Sequence, residues 1–367
     1  MLHPHTRVFD ESGERYNSRN KTAGPGFKNV PREQPDAQVW SGKMVHDLTT
    51  LMKRARDNYH LSLLLASAAK PLHFISARVA LCLEQKVRRN GTTILLPNGS
   101  KMSIARDSGV GIASALFWHG LDGYEPETSR TLRFFFERVA TFVDVGANCG
   151  LYSLLGALWN PSLEVVAFEP VPAIFEGLKR NVLLNKLVGR IRCENIALSN
   201  ETGKAAFFLP KSDSGRDVES TGTLARESWQ ARKGSARIEV ETARFDEYAA
   251  RHPMHVDLIK IDVEDFEADV LEGMKGVIAR DRPFIVCEVL PRLHGNQRTR
   301  KIVESLNYQP YWITSSGYVK VPRFDFGRDE PTDFLLSPVG TSDVVLDKLD
   351  GLWESKERSC QQDRIAL

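Results

Sequence analysis

The stretch "TFVDVGANCGLYS", Thr141 to Ser153, limits the fold more than any other part of the chain. Phe142 to Val145 is short, largely apolar and β-branched, the pattern of a buried strand, while Leu151, Leu154, Leu155 and Leu158 recur at helical spacing just beyond it. The two periods meet over Gly146 to Gly150, so the glycines stand on a strand-to-helix turn. Glycine has no Cβ and tolerates backbone dihedrals that other residues resist, and the start of a helix presents unpaired N–H donors. Together these make a cradle for a nucleotide-like ligand. The spacing is G-x-x-x-G and not the G-x-G-x-x-G of dinucleotide binding, and a tight structural turn would explain the glycine pair equally well.

A second stretch decides between those readings. "LEVVAFEP", Leu163 to Pro170, predicts a strand that ends in Glu169 and is stopped by Pro170, which has no N–H to give the ladder. Glu169 follows the glycine turn by about 20 residues, the offset that places a carboxylate at the end of the neighbouring strand of a βαβ unit, where it can accept both hydroxyls of a ribose. A solvated strand-end acid is the competing reading. The pairing with the glycine turn favours the ribose.

The third stretch, "VDLIKIDVEDFEADVLEGM", Val256 to Met274, predicts a central strand through Leu258, Ile259, Ile261 and Val263, then a helix bearing Ala268, Val270, Leu271 and Met274. Asp262, Glu264, Asp265 and Glu267 crowd the junction. Acids at a helix N-terminus gain a few tenths to about 1 kcal/mol each from its amides and dipole, which accounts for Asp265 and Glu267 without any function. Asp262 falls instead at the carboxyl edge of the sheet, where open α/β folds bind ligands, and Glu264 fits either explanation. "PFIVCEVL" brings Glu288 to the same edge, with His294 in the turn that follows.

Elsewhere strands and helices alternate, which implies a mostly parallel sheet. "IRCENIALS", Ile191 to Ser199, reads as one strand, and "GTTILLPNGSKMSIA" reads as a hairpin turning at Asn98-Gly99 and lying against the main sheet. Residues 117–136 carry Trp118, His119, Tyr124 and Glu125 close to where a ligand would lie. A polar loop over residues 211–235 is too long for a simple turn and suits a lid.

The first sixty residues are polar and lack the apolar core of a secretory signal. Leu61 to Leu83 is interrupted by Lys70, Pro71, His73 and Arg78, so it reads as two short helices and not as a membrane span, although contact with a membrane surface stays open. A net charge of +2 gives no electrostatic case for nucleic acid. Five scattered cysteines without a C-x-x-C pair suit reduced thiols, with the cytoplasm as the default compartment. Oligomeric state is not legible.

As an ordered set, "FVDVGANCGLYS", "VVAFEPVP", "ENIALSNETGKAAFF", "IKIDVEDFEADVLEGM" and "PFIVCEV" resemble the FkbM-type family of S-adenosylmethionine-dependent methyltransferases, over roughly Thr92 to Pro338. The family pattern usually has glycine where this chain has Asp265. The resemblance implies a Rossmann-like class I fold with a mostly parallel seven-stranded sheet over residues 141–338. It leaves 1–60 as an extension, 61–140 as a helical and hairpin preface, and 339–367 as a tail.

The resemblance also implies roles for residues. Gly146, Asn148 and Gly150 would hold the methionine part of S-adenosylmethionine, Asp144 would orient its amino group, Glu169, followed by Pro170, would take the ribose, and Asn195 and Ala197 would flank the adenine. Asp262 would line the methyl-transfer side. The expected reaction is O-methylation of a sugar, glycan or small-molecule hydroxyl. Asp262, Glu264, Glu288 and His294 are the catalytic candidates. No metal is expected, because Asp262 and Glu264 alone are too few ligands for a divalent ion. An NAD-type oxidoreductase and a catalytically silent scaffold of the same fold are the alternatives.

Overall fold

The computed structural model describes residues 90–209, 224, 236–289, 295–321 and 333–341. The extension over 1–60, the helices expected over 61–83, the loop over 211–235 apart from Leu224, His294, and the tail beyond 341 lie outside the described residues.

A hairpin of β1 (Thr92–Leu95) and β2 (Lys101–Ile104) comes first, followed by α1 (Val110–His119) and α2 (Pro126–Phe136). The repeating unit then begins: β3 (Thr141–Val145), α3 (Leu151–Trp159), β4 (Glu164–Phe168), α4 (Pro172–Leu184) and β5 (Ile191–Glu194). Three strands follow, β6 (Ala197–Leu198), β7 (Gly203–Leu209) and β8 (Ala236–Ala243). The chain continues through α5 (Phe245–Arg251), β9 (Leu258–Ile261), α6 (Glu267–Gly273), α7 (Lys275–Asp281) and β10 (Phe284–Glu288). It closes with α8 (Gly295–Ser305), β11 (Tyr308–Thr314), β12 (Gly317–Lys320) and β13 (Asp333–Pro338).

The main sheet runs β5-β4-β3-β9-β10-β13-β11-β12. Neighbours from β5 to β10 are parallel, whereas β13 lies antiparallel to both β10 and β11. The chain builds outward from β3 to β5, then returns to the other side of β3 with β9. Strand order therefore reverses between β3 and β9, the place where open α/β sheets open a ligand crevice beyond their carboxyl ends. The sheet has eight strands where seven were expected, because β12 folds back on β11 at Thr314↔Gly317 and extends the edge.

Two further expectations are corrected. The strand read from Ile191 to Ser199 is broken: β5 stays in the main sheet, while β6 leaves it to pair with β8 in a separate β6-β8-β7 sheet. Between them Asn195 turns back, its Nδ2 donating to the carbonyls of Glu169 at 2.8 Å and Pro170 at 3.0 Å. The hairpin does not lie against the main sheet. It rests on helices, with Asn98 Nδ2 donating to Leu158 O of α3 and the Ser103 N–H donating to Oδ1 of Asn185, which follows α4.

Period-two alternation divides the core into two layers. Phe142 and Leu258 face Leu154, Leu155 and Leu178 on one side. Val143, Val145, Ile259 and Ile261 face Phe245, Leu271 and Met274 on the other. The same alternation puts Asp144 and Lys260, which are register partners, on the first face with Phe142 and Leu258. Among the described residues, no helix is long and apolar enough to cross a membrane.

Candidate active site

At the reversal point a single cleft gathers residues from β3, β4, the β5–β6 link, β6, β7, the loop that follows β9, and β10, with an empty volume of about 960 Å³ counted to its open mouth. The glycine turn forms its floor. Gly146 has φ 78°, and a Cβ there would strike the carbonyl oxygen of Asp262. Its N–H and that of Ala147 donate to Phe168 O at 3.0 and 2.9 Å, clipping the turn to the end of β4. Gly150 does not line the cleft; it caps α3 at φ 83°, where a side chain would collide with Leu178. The left-handed backbone and the close packing of Leu178 both favour glycine there.

Glu169 is the hinge of one end of the cleft. Its Oε2 accepts the Asn148 N–H at 3.0 Å and its Oε1 accepts the Val171 N–H at 2.9 Å, so one carboxylate spans two loops. It is 5% exposed. Burial pushes its pKa up to about 7 even though both amide bonds pull the other way. Beyond it Ile174, Ile196, Ala197, Leu198, Phe207 and Leu224 form an apolar slot. Pro170 and Asn148 also line the cleft, whereas Asn195 and Asp144 do not. Asn195 braces the Glu169–Pro170 turn from behind. Asp144 is buried, with Oδ2 accepting the Ser153 N–H at 3.1 Å and hydroxyl at 2.6 Å, and with Oδ1 lacking any hydrogen-bond partner.

The opposite end is acidic. Tyr124, Glu125, Asp262, Val263, Glu264 and Glu288 line it, and Asp262, Glu264 and Glu288 each offer an oxygen within 4.8 Å of the others. The premise that Asp262 and Glu264 stand alone is thus corrected: Glu288 from β10 is a third carboxyl. Asp262 is already engaged. Its Oδ2 accepts from Lys260 Nζ at 2.8 Å, and it shares a hydrogen bond with Glu288.

Backbone strain collects here too. Glu125, Asn148 and Glu264 adopt φ of 40°, 53° and 53°, and Asp265, at the position where glycine is usual, adopts 76°. Left-handed conformations at non-glycine residues cost free energy and cluster where a site needs a fixed geometry.

Sequence reasoning passed over Lys260 and the slot residues Phe207, Ile174 and Leu224. Lys260 did carry a signal: a lysine inside the apolar run "LIKI" with an acid two residues on is a charge that a buried strand must pair.

A parallel sheet with a crevice at its reversal, and a last strand inserted antiparallel between β10 and β11, is the class I methyltransferase fold. Residues 144–310 match the family described as Methyltransferase FkbM domain. Among relatives, methyltransferase sdnD of Sordaria araneosa is 29% identical over 153 residues, covering 36% of this chain and 59% of its own. The 31-O-demethyl-FK506 methyltransferase FkbM of Streptomyces tacrolimicus is 31% identical over 153 residues, covering 36% and 58%. The 2-O-methyltransferase NoeI of Sinorhizobium fredii is 27% identical over 155 residues, covering 40% and 61%. The chain therefore spans about three-fifths of the length of these relatives.

The family's cofactor is S-adenosylmethionine, and the cleft fits it. A glycine without room for a Cβ lies on its floor, and the buried carboxylate of Glu169 stands beside an apolar slot.

Proposed function

We propose that this domain methylates a hydroxyl group of a sugar, glycan or other small natural product, using S-adenosylmethionine. The observation that supports this most is that one cleft joins the Glu169 end, built to bind a nucleoside, to the carboxyl-rich end at Asp262, Glu264 and Glu288. The names of two relatives, a 31-O-demethyl-FK506 methyltransferase and a 2-O-methyltransferase, favour oxygen as the acceptor atom.

S-adenosylmethionine, when bound, supplies a methyl group on a positively charged sulfur, whose departure leaves a neutral thioether. Glu169 holds the ribose hydroxyls, the slot around Ala197 and Leu198 holds the base, and Gly146 and Asn148 hold the methionine part. Asp144, Gly150 and Asn195 act from behind as the frame. At the other end Glu264 is the general base. An alcohol is a weak nucleophile at neutral pH, so a carboxylate within hydrogen-bond reach that takes its proton as the new O–C bond forms speeds the reaction by about 100-fold or more. Walls of the cleft contribute by alignment and exclusion of water. His294 lies outside the described residues and stays second to Glu264 as base.

Metal independence is part of the proposal, since the Lys260 ammonium already stands against Asp262. A reducing compartment such as the cytoplasm suits the buried thiols of Cys149 and Cys287. Calorimetry should show binding of S-adenosylmethionine and S-adenosylhomocysteine but not NAD, and transfer of a labelled methyl group should survive chelation. Binding of NAD alone would move the chain to the oxidoreductases. Cofactor binding without transfer to any hydroxylated acceptor from a metabolite extract would make it a silent scaffold.

A further inference from the structure

Glu125 lines the acidic end of the cleft, and the proposed reaction has given it no task. It is the residue just before α2, where an acid ordinarily turns back to accept an N–H of the first helical turn. Glu125 makes no such bond. Its carboxylate is aimed elsewhere: Oε2 accepts the Tyr152 hydroxyl at 2.7 Å. Among the described residues this is the one hydrogen bond made by either side chain.

Tyr152 is 4% exposed and is the second residue of α3, the helix that Gly150 caps at the end of the glycine turn. The bond thus ties a carboxylate from the segment before α2 to the helix that rises from the floor of the cleft. Lys260 Nζ lies 4.8 Å from the centre of the Tyr152 ring and 2.8 Å from Asp262 Oδ2. Glu125, Tyr152, Lys260 and Asp262 therefore form one continuous wall. Of these four, Glu125 and Asp262 face the cleft, and the tyrosine and lysine stand behind them.

We propose that Glu125 is a cofactor-binding residue: its second oxygen, Oε1, takes the α-ammonium of the methionine part of S-adenosylmethionine, and Tyr152 is the positioning residue that aims it. This rests on reading the cleft as a methyltransferase site.

An ammonium taken out of water needs an anion against it. Asp144, the acid to which the family resemblance gives this group, does not line the cleft; its Oδ2 is turned to Ser153. Glu169 stands at the other end with both oxygens on main-chain amides. Asp262 already holds the Lys260 ammonium, so a second cation there would meet repulsion. Glu264 is the base of the proposed reaction. Glu125 satisfies what the others do not, since it lines the cleft, is tied to the helix that continues the glycine turn, and keeps Oε1 without a partner among the described residues.

The tyrosine bond also prepares the site. A glutamate side chain has rotamer freedom to lose when it binds, and a contact formed beforehand removes part of that cost. Burial first, and Glu125 next, hold the Tyr152 phenol well above its ordinary pKa, so it remains a donor. The left-handed backbone at Glu125, φ 40°, is strain that this aim accounts for.

Calorimetry on the full chain tests the proposal with three ligands. They are S-adenosylhomocysteine; its deaminated analogue, which keeps the carboxylate but has no ammonium; and 5′-methylthioadenosine, which has the nucleoside and sulfur but no amino acid. Wild type should bind S-adenosylhomocysteine about tenfold or more tightly than the deaminated analogue, the scale of a hydrogen bond between charged groups. Glu125→Gln should lose most of that preference, while its affinity for 5′-methylthioadenosine stays within about twofold of wild type. Tyr152→Phe, which keeps the ring beside Lys260, should lose about threefold of it. A wild type that binds S-adenosylhomocysteine and the deaminated analogue equally overturns the proposal whether or not the variants fold. A folded Glu125→Gln protein that keeps the preference also overturns it, and leaves Glu125 to the acceptor. Equal weakening of all three ligands in Glu125→Gln overturns it as well, as the mark of a structural role. A wild type that binds none of the three overturns the functional reading itself, and the proposal with it.

Discussion

The two ends of the cleft are held in place by different means. At the end proposed for the nucleoside, Glu169 is fixed by main-chain amides of Asn148 and Val171, so its position follows from the turns themselves. At the end proposed for the acceptor, Asp262 is held by Lys260 and by a hydrogen bond with Glu288, so its arrangement follows from charge. A cofactor common to a family suits a rigid, backbone-built seat. An acceptor that differs between members suits a seat built from side chains, which single substitutions can retune without disturbing the fold.

The comparison is broken most directly at Glu264. Glu264→Gln should lower turnover by about 100-fold or more while cofactor affinity stays within a factor of two or so; parallel measurement of kcat and of cofactor Kd decides it. Equal loss of both would make Glu264 part of the nucleoside end and shift the base to another group.

At the other end the expected change is in binding. Glu169→Ala should weaken S-adenosylmethionine binding by about 1.5 to 3 kcal/mol, the range for hydrogen bonds to a charged group, as read by calorimetry. Because the carboxylate also holds two amides, Glu169→Ala should loosen the glycine turn as well, and Glu169→Gln, which keeps one acceptor, should bind better than Glu169→Ala. Unchanged affinity in a folded Glu169→Ala protein would return this acid to a purely structural role.

A smaller effect separates the two ends by pH. Glu169 has a folded pKa of about 7 against an ordinary 4.5, so ionising it in the fold is unfavourable. Its contribution to stability is greatest below pH 4.5 and is lost as pH rises toward 7, since over that window the unfolded chain gives up the proton first. Ribose hydroxyls donate to an ionised carboxylate, so cofactor affinity should strengthen by up to about tenfold between pH 6 and 8. Glu169→Gln should abolish that slope. A wild-type affinity flat with pH would mean that the ribose is held by other groups.

The smallest change is expected at Asp265. Asp265→Gly relieves a left-handed backbone but adds freedom to the unfolded chain, so thermal unfolding should shift by about 0.5 kcal/mol or less, toward stability. A loss above about 1 kcal/mol would show that the Asp265 side chain braces the acceptor end.

What the sequence disclosed followed the same division. Strand β3, the turn, β4 and β9 were legible because buried parallel strands are short apolar runs and their ends are marked by glycine, proline or acids. The break between β5 and β6 was not, because it depends on Asn195 bonding to carbonyls of the turn after β4, a contact with no local pattern. Gly150 was read as part of the cradle since spacing cannot tell a glycine that admits a ligand from one that admits Leu178. Glu288 was placed at the correct edge, yet its meeting with Asp262 depends on β10 lying beside β9 in the main sheet, which only tertiary structure supplies.

The close approach of Gly146 to the Asp262 carbonyl ties the two ends together in heredity. Because a side chain at 146 would enter the space of the 262 backbone, no substitution there can be judged for its effect on cofactor alone. Any lineage that replaced this glycine would have to move the end of β9 in the same step, and with it the carboxyl that meets Lys260. Position 146 can therefore drift only together with the acceptor end. Directed-evolution libraries seeking new acceptors should leave it untouched and place their diversity at Tyr124 and Val263, side chains that line the same end of the cleft.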